Sequence, residues 1–523
     1  MDKHRKELEK LAKTDPEFYK FLKSEEADLL DFEQSDGEEN AEDVEGEDGE
    51  ASELEEEEEE EEPTEGVQIG RLTIKLQTDN AERKIVDERL CSVIEKVLSN
   101  PTENRAKLPN AVEVAVRLFQ ACATRVGADV ERPEFVINSD KLFDDIVRTC
   151  LKHMGPCLLI LLHNRDKGGR RKGKSASVVY KHWKRYRGLT KQYLSTVLDL
   201  GQSNVMIATM RSVLSLADLL VHFPILCRRL IKFLVQIWSR KTTEERCMAF
   251  LVLNRLCRAK PDLFTSVYKS CYVAYVAACR SVHDGAWPSL LFMQKSFAEL
   301  TYLHPEIAYE HAFVFIRQYA IHLRNAKIVK RKDVIKTVYN WQYVLGLYLW
   351  STVIIRGRRH AGESEAVEWI RELLYPLIQI TIGLINVFAI PRYVPLRLHC
   401  VRILLQLQIN CKVYIPTLSL ASDLLHDLTM IDRTKPAHSK GMKKQTNVRN
   451  LIRLTREMLE DANYRRQVAK EIFELFTTAV EILKDEPAFL EVFSPTFLKE
   501  CKNVEHKRLA KEVEKSVMRA VEA

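Results

Sequence analysis

No Cys-x-x-Cys pair occurs in this 523-residue chain, although it holds twelve cysteines. Most of those thiols sit inside apolar helical stretches, so a zinc site is not expected. An apolar leader core is missing from the opening MDKHRKELEKLAK, which predicts no entry into the secretory pathway and a reduced intracellular compartment. No convincing alternating strand is found, and Asp284-Gly285 falls between two helical patterns rather than between strands. Neither G-x-S-x-G nor H-E-x-x-H occurs, and the fourteen histidines are scattered. His304, His311 and His322 lie near one another in sequence, and His311 and His322, eleven residues apart and so near one helix face, could serve a zinc ligand pair, but buried or interface histidines are the expected reading. These absences predict a protein that is not an enzyme and needs no cofactor.

Charge is present in quantity but unevenly. The formal charge of +5 hides residues 25–65, which hold 24 Asp and Glu and no Lys or Arg, so the remainder carries +29. Eight consecutive glutamates, Glu55 to Glu62, end that run. Such a segment cannot bury enough apolar surface to offset its ordering entropy, and it is expected to be disordered. An acidic tail on a basic body points to polyanionic or histone-like partners more than to small-molecule chemistry.

From about residue 84 the apolar period is helical throughout. Phe143, Ile146, Val147, Cys150, Leu151, Met154, Leu158 and Leu161 share one face. After Pro305, a second stripe is expected from Tyr309, Ala312, Phe313, Ile316, Ala320 and Leu323. Breaks recur near Pro224, Pro261, Pro288, Pro305, Pro391 and Pro416, and the intervals Pro224 to Pro261 (37 residues) and Pro261 to Pro305 (44) fall in the range of two-helix repeats, although no repeated motif accompanies them. The expected fold is all-α, an irregular HEAT- or armadillo-like α-solenoid, with a large helical bundle as the alternative. Residues 1–24 read as a docking helix or peptide, 25–66 as the acidic segment, 67–430 as the helical-repeat body, 431–449 as a basic linker and 450–523 as a C-terminal helical set. Leu373 to Ile390 runs without a charge, but Pro376, Gln379, Thr381, Gly383 and Asn386 would need polar partners in lipid. A core helix is the expected role, and no membrane partner follows.

Gly168-Gly169-Arg170-Arg171-Lys172-Gly173-Lys174-Ser175 satisfies G-x-x-x-x-G-K-[ST]. A phosphate-binding loop of that kind needs a buried strand before it, whereas Leu158 to Leu162 finish a helix. The surrounding stretch, 165–191, carries eleven Lys and Arg against the single acid Asp166. It suits a polyanion better: Arg170, Arg171, Lys172, Lys174, Lys181, Lys184, Arg185 and Arg187 can neutralise phosphates, and Trp183 or Tyr186 can stack on unpaired bases for about 1–3 kcal/mol each. A nuclear-import signal, or a solvated loop with Trp183 and Tyr186 packed into the next helix, remain open alternatives.

Three strings carry a family resemblance: EIAYEHAFVFIRQYAIHLRNA at 306–326, TVYNWQYVLGLYLW at 337–350 and PRYVPLRLHCVRIL at 391–404. With DPEFYKFL at 15–22, FMQKSFAEL at 292–300 and ANYRRQVAKEIFELF at 462–476, they closely resemble the nucleolar complex protein 2 family. The resemblance implies a non-enzymatic assembly factor of the large (60S) ribosomal subunit in the nucleolus and nucleoplasm. It implies a heterodimer with a nucleolar complex protein 1 or 3 relative, and contacts to pre-60S proteins and pre-rRNA. Scaffold or partner roles fall to Arg317, His322, Arg324, Asn325, Asn340, Trp341, Gln342, Tyr343, Arg392, Arg397 and Arg402. Trp341, Tyr343, Val344, Leu347 and Tyr348 occupy helical spacings, so Trp341 is expected to be buried. A nuclear chromatin regulator that binds histones through the acidic segment is the alternative.

Overall fold

The computed structural model describes residues 66–69, 72–78, 83–126, 134–162, 182–201, 205–329, 331–360, 362, 365–387, 389–432 and 447–483, with Lys511 and Lys515. They belong to the unit that begins at Glu65. The expected docking peptide at 1–24 and the acidic segment lie outside them, as do the phosphate-loop match at 168–175 and most of the basic linker.

The expectation of no strands needs correcting. β1 (Gly66–Ile69) pairs antiparallel with β2 (Leu72–Lys75), Val67 opposite Ile74 and Ile69 opposite Leu72. β3 (Lys84–Ile85) lies parallel to β4 (Phe135–Val136), and Lys84 reinforces that pairing with a 2.9 Å ion pair to Glu134. Runs of two to four residues are too short for a period-two signal to stand out from a helical background. Burial of Val67, Ile69 and Phe135 against neighbouring helices, not strand propensity, holds them.

Among the described residues the remaining named elements are helical, and the all-α expectation holds. The first group is α1 (Glu88–Ser99), α2 (Leu108–Arg125), α3 (Asp140–Leu162), α4 (Trp183–Leu200), α5 (Met206–Ser215) and the single turn α6 (Ala217–Leu220). The stripe read from Ile146 to Leu161 is buried as expected. Phe143, at its start, is only half-buried, with the Arg125 guanidinium 5.6 Å from its ring centre.

The proline breaks mark helix starts. Pro224 opens α7 (Pro224–Arg240), Pro261 precedes α9 (Leu263–Ala278), Pro288 lies in the first turn of α10 (Trp287–Thr301) and Pro305 opens α11 (Pro305–Val329). There the missing N–H has no intrahelical partner to lose. Between α7 and α9, α8 (Thr243–Ala259) starts at a capping box: Thr242 N–H donates to Glu245 Oε2 at 3.0 Å. From α7 to α10 each helix packs on its next or next-but-one neighbour in the chain.

After α12 (Lys332–Val338) the chain folds back, and α13 (Trp341–Gly357) packs on α10. The uncharged run forms α15 (Leu374–Val387), which follows the charged α14 (Glu365–Glu372) after Leu373, and both rest on α11 and α13. Glu365–Val387 is long and apolar enough to cross a membrane by length and composition alone. Here Leu377, Ile380, Thr381, Leu384 and Ile385 are buried in protein, and Thr381 donates to the Leu377 carbonyl at 2.8 Å.

Among the long helices with every residue described, α16 (Val394–Cys411) is heavily enclosed, thirteen of its eighteen residues being buried. Its buried residues are spread around most of its circumference and include the polar Arg397, His399 and Gln408, as suits a helix packed among several others. Its neighbours are α13, α15, α17 (Thr417–Asp432) and α19 (Ala462–Leu483), the last preceded by the short α18 (Arg456–Glu460).

The stripe expected on α11 is rotated. Ala312 and Ile316 are buried as anticipated, but the inward aromatics are Phe315 and Tyr319, while Phe313 is 47% exposed and Tyr309 half-buried. The helix carries apolar residues on more than one face, so period alone could not choose between them. Tyr272 made the choice: its ring stacks on Phe315 at 3.9 Å and its hydroxyl meets that of Tyr319 at 3.2 Å.

Candidate nucleic-acid interface and scaffold residues

Of the expected RNA contacts, Arg170, Arg171, Lys172, Lys174 and Lys181 lie outside the described residues. The others begin α4. Lys184, Arg185 and Arg187 are exposed, as is Lys191 one turn further on. The free N–H groups of a helix start add partial positive charge beside them, favouring anions. Arg185 and Tyr186 share an open depression of about 310 Å³ with Arg105, Pro109, Ile160, Leu161 and His182. Phosphate oxygens suit this lining, since the exposed guanidinium groups of Arg105 and Arg185 can engage them without leaving water.

The two aromatics behave differently. Trp183 is half-buried against His222 and Phe223, its ring 5.2 and 5.4 Å from theirs, and so anchors α4 to the start of α7. Tyr186 keeps a partly exposed ring with the Arg185 guanidinium 5.6 Å from its centre, leaving it the better placed of the two to stack on a base. Burial, followed by the charge of Lys260, lowers the pKa of His222, which therefore adds no charge to this face near neutral pH.

The scaffold set divides by burial. Arg317, Arg324 and Asn325 are exposed on α11, while His322 is half-buried with its Nε2 3.1 Å from the Gln318 amide nitrogen. Asn340 caps α13 by accepting from the Tyr343 N–H at 2.7 Å. Gln342 donates to the Val276 carbonyl at 3.1 Å, and the Tyr343 hydroxyl donates to the Tyr319 carbonyl at 2.9 Å. Trp341 is half-buried rather than buried, edge-on to Trp287 at 6.1 Å and to His399 at 5.3 Å.

Three arginines near α16 act within the chain. Arg392 donates to the Leu454 carbonyl at 3.1 Å, fastening the strand-like stretch before α18. Arg397, with 3% of its side chain exposed, is paired with Asp427, and Asp423 lies 3.9 Å away. Burial outweighs Arg397's attraction and holds the Asp427 pKa above its usual value. Arg402 pairs with Glu471, which also accepts from Arg449 at 2.8 Å. Arg449 additionally reaches Glu474 at 2.9 Å.

Among the described residues no three His, Cys, Asp or Glu side chains lie where they could hold one metal ion. Three buried cysteines are poor nucleophiles: burial pushes Cys122, Cys257 and Cys400 up to about 12.

A profile described as the Noc2p family matches residues 262–523. The chain belongs to the Noc2p family. It is 40% identical over 525 residues to the Nucleolar complex protein 2 homolog of Caenorhabditis elegans, covering 97% of this chain and 72% of that protein. The Nucleolar complex protein 2 of Drosophila melanogaster is 30% identical over 98% of this chain and 68% of its own length. The Nucleolar complex-associated protein 2 of Arabidopsis thaliana is 28% identical over 99% of this chain and 65% of its own. The Noc2p profile covers all the scaffold residues, whereas the basic stretch 165–191 falls outside it and inside the longer similarities.

Sequence reasoning missed the acidic partners in this Noc2p-family scaffold. Asp427 and Glu471 were not anticipated, nor was Asn450, which accepts from the Trp287 indole N–H at 2.6 Å. A signal existed in the two arginines of α16, because a charge in a helix this rich in Leu, Ile and Val requires a partner once it is buried. Which carboxylate would serve was not readable, as the partners lie 30 and 69 residues away.

Proposed function

We propose that this Noc2p-family protein works in the nucleus, in the nucleolus and nucleoplasm, as a non-enzymatic assembly factor of the large (60S) ribosomal subunit. Its helical scaffold binds pre-rRNA through the basic stretch 165–191 and pairs with a related nucleolar complex protein, of the 1 or 3 type, on pre-60S particles. The observation that carries the reading is the near-full-length similarity to proteins named for the nucleolar complex. The exposed cationic start of α4 supports the rRNA contact, and the extended helical faces support protein partners.

Gradient sedimentation of tagged protein tests this. Co-migration with pre-60S particles and their precursor rRNA is expected, together with recovery of a nucleolar complex protein 1 or 3 relative. The acidic run at 25–66 favours one other reading, a chromatin regulator bound to histones, and co-migration with nucleosomes instead of pre-60S particles would establish that and remove the first.

A further inference from the structure

The rotation of α11 leaves an aromatic surface unaccounted for. Tyr309, Phe313 and Trp369, from α11 and α14, form a contiguous patch with Tyr309 at its centre, 6.3 Å from the Phe313 ring and 5.8 Å from the Trp369 ring. Phe313 is 47% and Trp369 41% exposed, which is unusual for large aromatics unless they meet something. The rim is acidic. Glu306 and Glu310 lie one turn from Tyr309 and Phe313 on α11, and Glu365 and Glu372 flank Trp369 by one turn on α14, all exposed. Glu368 is exposed beside Trp369 and pairs with Arg371 at 2.5 Å. Arg317, exposed one turn past Phe313, adds a base to this surface.

We infer that this patch is a docking site for a lysine- and arginine-rich segment of a separate protein. Charge complementarity selects the occupant. Five glutamates around three aromatic faces disfavour nucleic acid, because phosphate would be repelled from the rings it must approach. The same arrangement attracts a cationic side chain twice, since its charge sits over the negative face of the rings and its peptide neighbours pair with the rim. The stems of Lys and Arg cover the exposed carbon of Phe313 and Trp369. This site is independent of the cationic start of α4 and has the opposite chemistry, so one chain offers separate surfaces to an anion and to a cationic protein.

Fluorescence anisotropy on the full-length chain tests it, using a labelled peptide of alternating leucine with lysine and arginine, and a counterpart carrying glutamate in place of the bases. The basic peptide should bind and the acidic one should not. Trp369→Ala should weaken binding about five- to tenfold, and Glu310→Gln with Glu365→Gln should weaken it and flatten its salt dependence. If Trp369→Ala lowers the melting temperature, Phe313→Ser carries the same expectation. Equal binding of the basic peptide by wild type and the aromatic variants would overturn the proposal. So would loss of a labelled RNA, with the peptide unaffected, in those variants. Tighter peptide binding after neutralising the bases of residues 165–191 would show that the chain's own basic stretch fills the patch, and would also overturn it.

Discussion

Gly346 on α13 faces the Tyr319 hydroxyl so closely that a Cβ built on the glycine would lie 1.9 Å from the phenol oxygen and 2.5 Å from the ring carbon bearing it. Tyr319 cannot move aside, because it is buried with its hydroxyl against Tyr272 and its carbonyl bonded to Tyr343. The glycine is thus required by the close approach of α11 and α13. Gly346→Ala should destabilise by about 1–3 kcal/mol or more, as overpacking does. Gly188→Ala on α4, where a Cβ meets nothing within 4 Å, should be neutral or stabilising by up to about 1 kcal/mol. Urea denaturation of the two variants compares them directly, and equal midpoints would refute the packing argument.

Arg397 and Asp427 should show strong coupling. Removing one partner leaves the other charged and enclosed, so Arg397→Met alone is expected to cost about 3–5 kcal/mol. Arg397→Met combined with Asp427→Leu should recover most of that loss, because no charge is then left behind the helix. A double-mutant cycle by chemical denaturation reads the coupling, with Asp423, 3.9 Å from the guanidinium, as the residual partner. Additive losses would contradict the pairing.

Trp350 and Trp341 should differ in proportion to their enclosure. Trp350 is fully buried among Tyr272, Phe297 and Phe315, and Trp350→Ala should cost about 3–5 kcal/mol. Trp341 is half-buried, and its edge-on contacts with Trp287 and His399 are worth about 0.5–1.5 kcal/mol each beyond area. Trp341→Ala should therefore produce the smaller drop in melting temperature. The reverse order would show that Trp341 holds the scaffold more tightly than its exposure implies.

Acid should unfold the protein partly through His399. Burial, aided by the charges of Arg402 and Arg449, lowers its pKa to about 3, and the Tyr348 hydroxyl lies 3.1 Å from Nδ1. The unfolded chain binds this proton at the ordinary histidine value of about 6.5, so between about 3 and 6.5 it holds more protons than the native state. Stability is then complete above that window and falls as pH drops through it, by up to about 1.4 kcal/mol per pH unit for one group. His399→Leu should flatten this limb of the stability profile. His311, lowered to about 4 by burial, is expected to supply slope that remains.

The cationic start of α4 is testable by salt. Lys184→Gln, Arg187→Gln and Lys191→Gln together should reduce the slope of log affinity for single-stranded rRNA against log salt by about 2, from roughly 0.7 per phosphate contact. Binding to many sequences should weaken alike, since phosphate contacts position without reading bases. An independent import signal fused to the variant separates the alternatives: full recovery of pre-60S association and rRNA binding leaves only a targeting role for this stretch.

What the sequence determined by itself is local. Helicity from residue 88, the buried stripe from Ile146 to Leu161 and the prolines that open α7 and α11 all rest on residues within a turn or two of one another, whose spacing sets backbone preference directly. The family resemblance at 306–326, 337–350 and 391–404 was equally readable. Tertiary structure decided what depends on which surfaces meet. It turned Phe315 and Tyr319 inward and left Tyr309 and Phe313 outside, gave Arg397 and Arg402 carboxylates from distant helices, packed Trp183 on Phe223, and paired two residues of β3 with two of β4. An amphipathic period states that a helix has an inner face, but where apolar residues occupy several faces, only a neighbour's shape and hydrogen-bonding groups select one.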